Sequence, residues 1–237
     1  MKNKLFLFII LNLILLNKKE SDFEKFYVFN FYGTELKEKP NINSKTLQKL
    51  KLGDSLYLIK NTEIDAKKSV LKDKLYLNGK WSQVKYKNKT GYVFNGDYSK
   101  LKIKTKKNDS NYILIDYGKP NSKTKSIENF TFKNKPFKQF ILKEEYDFFT
   151  EITTTSNFDA GESLEIISTK LNINEMIQFM YLILKTSTQN QKGETIGYFH
   201  PYYLGFSNGV YSFDGPGSYQ DIKINQLKDT VFFSCNM

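Results

Sequence analysis

The 237-residue chain has no arginine, one cysteine and one histidine, and each shortage removes a class of chemistry. Without arginine there is no guanidinium fork for bidentate contacts to phosphates or base edges, so all 36 basic residues are lysines, which act as point charges. The single thiol, Cys235, forbids an internal disulfide framework and any thiolate metal centre, and leaves a residue expected to be buried or free for an intermolecular bridge. Every imidazole-dependent device would have to use His200. Alanine is confined to Ala66 and Ala160, and there are only 5 prolines. What is abundant is apolar and aromatic: 40% of residues are hydrophobic and 16% aromatic, the balance of a folded chain of one or two domains.

The net charge of +11 is unevenly spread: residues 23–107 carry +12, residues 108–237 carry −3 and residues 1–22 carry +2. With so much Lys, Asn, Ile, Phe and Tyr, the excess reads first as a solvated surface written by an AT-rich coding sequence. The missing arginines argue against a nucleic-acid partner. A basic N-terminal half beside a mildly acidic C-terminal half predicts either mutual attraction or a basic face turned toward an anionic surface.

Met1 to Lys4 form a short positive segment, and Leu5 to Leu16 are apolar except for Asn12. Twelve residues match the apolar region of a signal peptide and fall short of the roughly 20 needed to span a bilayer. No pair of small residues follows, and no cysteine stands where a lipid could be attached. Residues 1–21 are therefore read as a signal peptide or, if uncleaved, a short N-terminal anchor that is the one route to membrane contact. The competing reading is a buried N-terminal helix of a cytosolic protein. Export to the periplasm or cell envelope is the expected address.

Residues 27–101 read as short strands separated by turns. Tyr27 to Phe31 leads into Gly33, Thr34 to Pro40 is extended, Leu47 to Leu50 alternates, and Gly53-Asp54 turns into Ser55 to Ile59. Trp81 to Tyr86 alternates with period two and is followed, after a turn, by Thr90 to Phe94. Within Lys60 to Asn78, Ser69-Val70-Leu71 and Leu75-Tyr76-Leu77 flank a Lys-Asp-Lys turn and predict an added hairpin. Five or so strands in this length predict a small barrel.

Glu35 to Pro40, Ser44 to Leu50, Gly53-Asp54-Ser55-Leu56, and above all Trp81-Ser82-Gln83-Val84 followed by Thr90-Gly91-Tyr92-Val93, resemble the bacterial Src-homology-3 (SH3b) domain. The resemblance covers residues 27–101. Glu35-Leu36-Lys37 departs from the family's Asn-Val-Arg, which blocks transfer of any arginine-dependent site, and the 60–78 loop is longer than the family norm. The resemblance implies a non-enzymatic barrel of the cell envelope that binds a peptide, cell-wall or protein ligand, with peptidoglycan or an envelope protein as partner. Tyr57, Trp81, Tyr86 and Tyr92 are the candidate binding residues, since aromatic rings cover apolar faces while tyrosine hydroxyls hydrogen-bond.

Residues 102–110 are lysine-rich and read as a basic linker. Beyond them, residues 111–237 predict an α+β domain: a strand over Tyr112 to Tyr117, short aromatic pieces from Phe130 to Phe149, strands over Glu151 to Ser156 and Ser163 to Lys170, and further strands over Tyr198 to Phe206, Val210 to Phe213, Tyr219 to Ile224 and Thr230 to Phe233. The one main helix starts after Asn172, with Glu175 completing a capping box, and runs to about Lys185. Ile173, Met176, Ile177, Met180 and Leu184 form its apolar face, widened by Phe179, Leu182 and Ile183. The fold class expected is mainly β: a small SH3-like β-barrel followed by an antiparallel-sheet α+β domain with one main helix.

No catalytic or metal constellation stands out, and no cofactor is implied. Cys235 follows His200 and sits at the chain end, the wrong order for a cysteine peptidase. The Asp214-Gly-Pro-Gly turn lacks the spaced oxygens of a calcium loop. Glu144, Glu145 and Asp147 carry the alternative reading, a cell-wall hydrolase with carboxylate chemistry in the C-terminal domain.

Overall fold

The computed structural model describes residues 23–70, 75–102, 104–107, 113–116, 119–132, 135–157, 161–184, 186–189, 195–199, 201–215 and 220–236. The apolar segment at 1–21, the turn at 72–74 and His200 lie outside these residues. The described chain is mainly β, arranged as two large antiparallel sheets, one of them curled into a half-barrel, with one helix.

Strands β1 (Glu24–Val28), β2 (Thr34–Lys37), β3 (Thr46–Leu50), β4 (Ser55–Ser69), β5 (Tyr76–Tyr86), β6 (Lys89–Phe94) and β7 (Tyr98–Ser99) form a sheet in the order β3-β2-β6-β5-β4-β1-β7. Alternation supplies its core: Val28, Leu36, Leu50, Leu56, Val84 and Val93 point to one side and are at most 2% exposed. A positive φ at Gly53 and at Lys87 turns the chain into β4 and β6. β4 is far longer than Ser55 to Ile59 because the 60–78 stretch is indeed a hairpin. After bulges at Leu58/Lys60 and Asn61/Asp65, Asp65 to Ser69 pair with Lys80 to Tyr76. Val70, Leu75 and Leu77 at the tip of this arm are buried.

The second sheet has the order β10-β11-β12-β13-β19-β18-β17-β16, with β10 (Ser122–Phe132), β11 (Lys135–Glu145), β12 (Glu151–Asn157), β13 (Gly161–Ser168), β16 (Tyr202–Ser207), β17 (Val210–Asp214), β18 (Gln220–Leu227) and β19 (Thr230–Asn236). The stretch expected as short aromatic pieces is instead a hairpin of two eleven-residue strands. Residues 122–129 are all exposed, so backbone pairing with β11 rather than burial holds that strand, and a polar strand gives no alternation to read. The stretch read as a linker contributes β8 (Lys104–Lys107), paired with β9 (Ile113–Asp116). Strands β14 (Thr186–Gln189) and β15 (Thr195–Phe199) form the second small hairpin.

The helix, α1 (Ile173–Ile183), begins at the predicted capping box: Asn172 Oδ1 accepts from Glu175 N at 3.0 Å, and Glu175 Oε2 accepts from Asn172 N at 2.9 Å. Every residue from Glu175 to Leu182 is buried, so the helix needs apolar cover on more than one side. It finds both sheets. A single core holds the helix, Ile166, Phe213, Ile222, Ile224, Val231, Phe233 and Cys235 of the second sheet, and Phe29, Val70, Leu75, Leu77 and Phe94 of the first. The Phe179 ring stacks on Phe29 (centroids 6.3 Å apart) and tilts against Phe149 (4.9 Å). Asn174 Nδ2 also donates to the Asn78 carbonyl at 2.7 Å, tying the helix to the arm.

Two outcomes follow from this packing. Phe179→Ala is expected to cost about 3–5 kcal/mol. In urea, fluorescence of the sole tryptophan, Trp81 in the first sheet, and reactivity of Cys235 in the second should trace one coincident transition; separate midpoints would mean the sheets do not share a core. Glu175 is held above the ordinary carboxylate range, first by burial and against the pull of a Ser99 hydrogen bond, the Asn172 amide and Lys100. Between its ordinary and raised values the folded chain binds more protons than the unfolded one, so this residue lowers stability as pH rises through that window. Glu175→Gln keeps the capping box and should melt above wild type at pH 7, the gap closing below about pH 4. An equal gap at both pH values would remove burial of the charge as the cause.

Candidate functional site

At one end of the first sheet a pocket of about 290 Å³ is built from β2, β3, β4, β5 and β6 and the loops beside them. Trp81, Phe94 and Leu50 give it an apolar floor; all three are buried. Trp81 and Phe94 are cross-strand partners, which sets the two rings side by side on the sheet. Tyr32 and Ile42 stand at the rim, 62% and 51% exposed, and both belong to the lining. Gly33 lies between them in the chain with φ +78°, and a Cβ there would collide with the Leu50 carbonyl, so the turn that opens the pocket requires glycine.

The polar wall is made of two ion pairs. Asp97, in the 3₁₀ turn Asn95–Asp97, is fully buried. Its Oδ1 accepts from Asn30 Nδ2 at 2.9 Å, and its Oδ2 accepts from Thr34 Oγ1 at 2.5 Å and from Lys68 Nζ. Glu35 pairs with Lys37 at 2.7 Å, and Lys37 Nζ also donates to Thr46 Oγ1 at 3.0 Å. The Lys37 hydrogen bond holds the Glu35 carboxyl below the ordinary range, against a smaller opposing effect of partial burial. The fifth charge on the wall, Lys49, makes no ion pair with any described residue. The pocket therefore offers aromatic surface, two paired acids and a further ammonium whose charge acts on Glu35.

Of the four aromatic residues expected to bind ligand, Trp81 is on this floor and the other three are elsewhere. Tyr57 is half-buried on β4 with the Lys25 ammonium 5.8 Å from its ring. Tyr86 donates its hydroxyl to Asp54 Oδ2 at 3.2 Å and carries the Lys87 ammonium 5.2 Å from its ring. Tyr92 pairs across strands with Gln83 and Lys37. The residues that shape the pocket beside Trp81, namely Tyr32, Thr34, Ile42, Lys68 and Asp97, come from four separate stretches. Only the Tyr32-Gly33 turn had a visible signal.

In the second sheet, Glu144 is engaged by Lys123 at 2.6 Å and by the Tyr146 hydroxyl at 3.2 Å. Asp147 accepts from Asn121 Nδ2 at 3.1 Å and, with Glu145 and Lys170, lines a shallow pocket of about 220 Å³ that Glu144 does not reach. Cys235 is buried in the shared core, and burial pushes its thiol up to about 11. Among the described residues no group of His, Cys, Asp and Glu could hold a metal. Nor is any described helix long and apolar enough to cross a membrane. No family model, curated protein or solved structure matches this chain.

The Asp97–Lys68 pair is asymmetric, since Asp97 is fully enclosed while the Lys68 side chain keeps 26% exposure. Lys68→Met leaves a buried carboxylate without its cation and should cost about 3 kcal/mol in urea denaturation, whereas Asp97→Asn leaves an ammonium that can turn to water and should cost about 1. The reverse order would show that the buried carboxylate does not depend on Lys68.

Proposed function

We propose that the protein is a non-enzymatic, exported cell-envelope protein whose SH3b-like half binds a peptide, cell-wall or protein ligand in the Trp81 pocket. The observation that carries this reading is the combination of an apolar aromatic floor with two large side chains, Tyr32 and Ile42, left open to water at its rim. Exposed apolar groups around a concave apolar floor are what a ligand covers. At about 290 Å³ the pocket is near the lower end of small-molecule sites, a size for one side chain or one sugar ring of a longer ligand. The SH3b-like reading is supported by the Trp81 and Thr90-Gly91-Tyr92-Val93 strands, which pair as a hairpin, and by the curled antiparallel sheet. The address follows from the apolar run at residues 5–16. The ion-paired acids of the wall serve to hold the pocket open, and the carboxylates of the second sheet are occupied by Lys123, Tyr146 and Asn121, which favours binding over hydrolysis.

Sedimentation with insoluble peptidoglycan tests the reading. Trp81 is too deeply buried to be the first residue changed; Tyr32→Ala and Ile42→Asp alter only exposed rim positions and should leave the melting temperature within about 2 °C of wild type. Wild type should sediment, and each rim variant should lose at least about fivefold in bound fraction. Rim variants that sediment like wild type would remove the pocket as the wall-binding site, and a wild type that stays in solution would leave a peptide or protein as its ligand.

A further inference from the structure

A second surface lies on the face of the first sheet turned away from Val28, Leu56 and Val84, four residues along β5 from Trp81. Val28, Leu56 and Val84 point into the core, so Lys25, Tyr27, Tyr57 and Lys85, one residue out of phase, occupy the other side. Lys25 pairs across strands with Tyr57, and Tyr57 with Lys85, which sets Lys25, Tyr57 and Lys85 in one row across β1, β4 and β5. Adjacent strands are about 4.8 Å apart, so the two lysines flank the ring about 10 Å from each other. Beside this row the Lys25 ammonium lies 5.7 Å from the Tyr27 ring and the Lys102 ammonium 5.6 Å from the same ring. Neither Lys25 nor Lys102 has a carboxylate partner among the described residues, and both are exposed. The rings fix the ammonium groups by cation–π attraction while leaving their charge uncancelled.

We infer that this face binds a linear polymer carrying phosphate groups in its backbone. Charge complementarity points to an anion, and the two ring-held ammonium groups of Lys25 and Lys102, with Lys85 beyond Tyr57 in the row, match a repeating charge rather than a single one. Lysine suits phosphate as a compact point charge and does not need the planar fork that carboxylate pairing favours. Because ammonium groups lie over the Tyr27 and Tyr57 rings, those faces are not open for stacked bases, which separates this surface from a single-strand nucleic-acid platform. Tyr27 and Tyr57 are half-buried and no exposed aliphatic side chain stands in the row, so the face offers charge without an apolar wedge for a lipid interior.

Titration of the full chain with long-chain inorganic polyphosphate at several salt concentrations tests the assignment. The K25E/K102E double variant should lose about tenfold or more in affinity, and the slope of log affinity against log salt should fall by about 2. K138E/K223E, the same change in net charge made on exposed lysines of the second sheet, should lose less than about threefold. Equal losses would show that only the bulk charge of +11 is being read, and would overturn the assignment. So would a wild type that ignores polyphosphate, or one that binds phosphatidylglycerol vesicles and not polyphosphate. Should the charge-reversed pair fail to fold, K25Q/K102Q removes the same ammonium groups without adding carboxylates and is expected to lose affinity in the same direction.

Discussion

The ring of Phe179 is where the two halves of this molecule meet. Phe29 from the first sheet stacks on it and Phe149 from the second leans against it, while the rest of the helix is buried from Glu175 to Leu182. A helix that is apolar nearly all round cannot be satisfied by one sheet, because one sheet covers one face. The second cover comes from the first sheet by way of an arm, the extension of β4 and β5 that carries Val70, Leu75 and Leu77 into the same core. Cut at residue 101, the first sheet would expose those three residues together with Phe29 and Phe94 to water. Small β-barrels have little core to spare, and the inner cluster of Val28, Leu36, Leu50, Leu56, Val84 and Val93 is modest. The helix and second sheet supply the burial that the first sheet lacks.

Burial also decides where charge is tolerated. The chain carries an excess of lysine, yet Asp97, a fully enclosed carboxylate, has a lysine, a threonine and an asparagine directed at it. Charges are rarely enclosed unless paired and hydrogen-bonded, and here the pair stands as the wall of a cavity instead of packing against apolar residues. Replacing such a pair with apolar side chains often costs nothing in stability, so its retention beside an open pocket is better explained by shape than by energy. Glu175 is the contrasting case: it too is enclosed, and it is held by the capping box and Ser99, so its charge opposes folding while its hydrogen bonds begin the helix.

What the sequence revealed was local. The capping box at Asn172 and Glu175, the turn at Gly53 and the hairpin from Trp81 through Tyr92 depend on residues a few positions apart, and each is present. The apolar face of the helix, widened by Phe179, Leu182 and Ile183, predicts burial against one sheet, whereas the structure covers it with two. The pocket was not legible, because Tyr32, Ile42, Lys68, Trp81 and Asp97 are brought together only by the curl of the sheet. Period two says that Trp81, Gln83 and Lys85 share a face and Tyr86 does not, but it cannot say which end of the face closes into a cavity. Nor could it find β10, whose residues from Ser122 to Asn129 are exposed and which is held by its ladder to β11 and the Lys123–Glu144 pair.

The shared core and the pocket are joined through single residues. Phe94 belongs to the core around the helix and to the pocket floor. Lys68 lies on the arm two residues before Val70, so the ammonium that neutralises Asp97 is held by a strand whose tip is anchored against the helix. Moving the arm would therefore withdraw Lys68 from the pocket wall and Val70 from the core together. The outer row of Lys25, Tyr57 and Lys85 belongs to the same sheet but to the end of β4 before its bulges, where no residue reaches the shared core. The bulges at Leu58/Lys60 and Asn61/Asp65 thus divide β4 into a part that faces solvent with fixed positive charge and a part that carries the arm. One strand thus serves a charged face at one end and a pocket wall at the other, with the bulges between them.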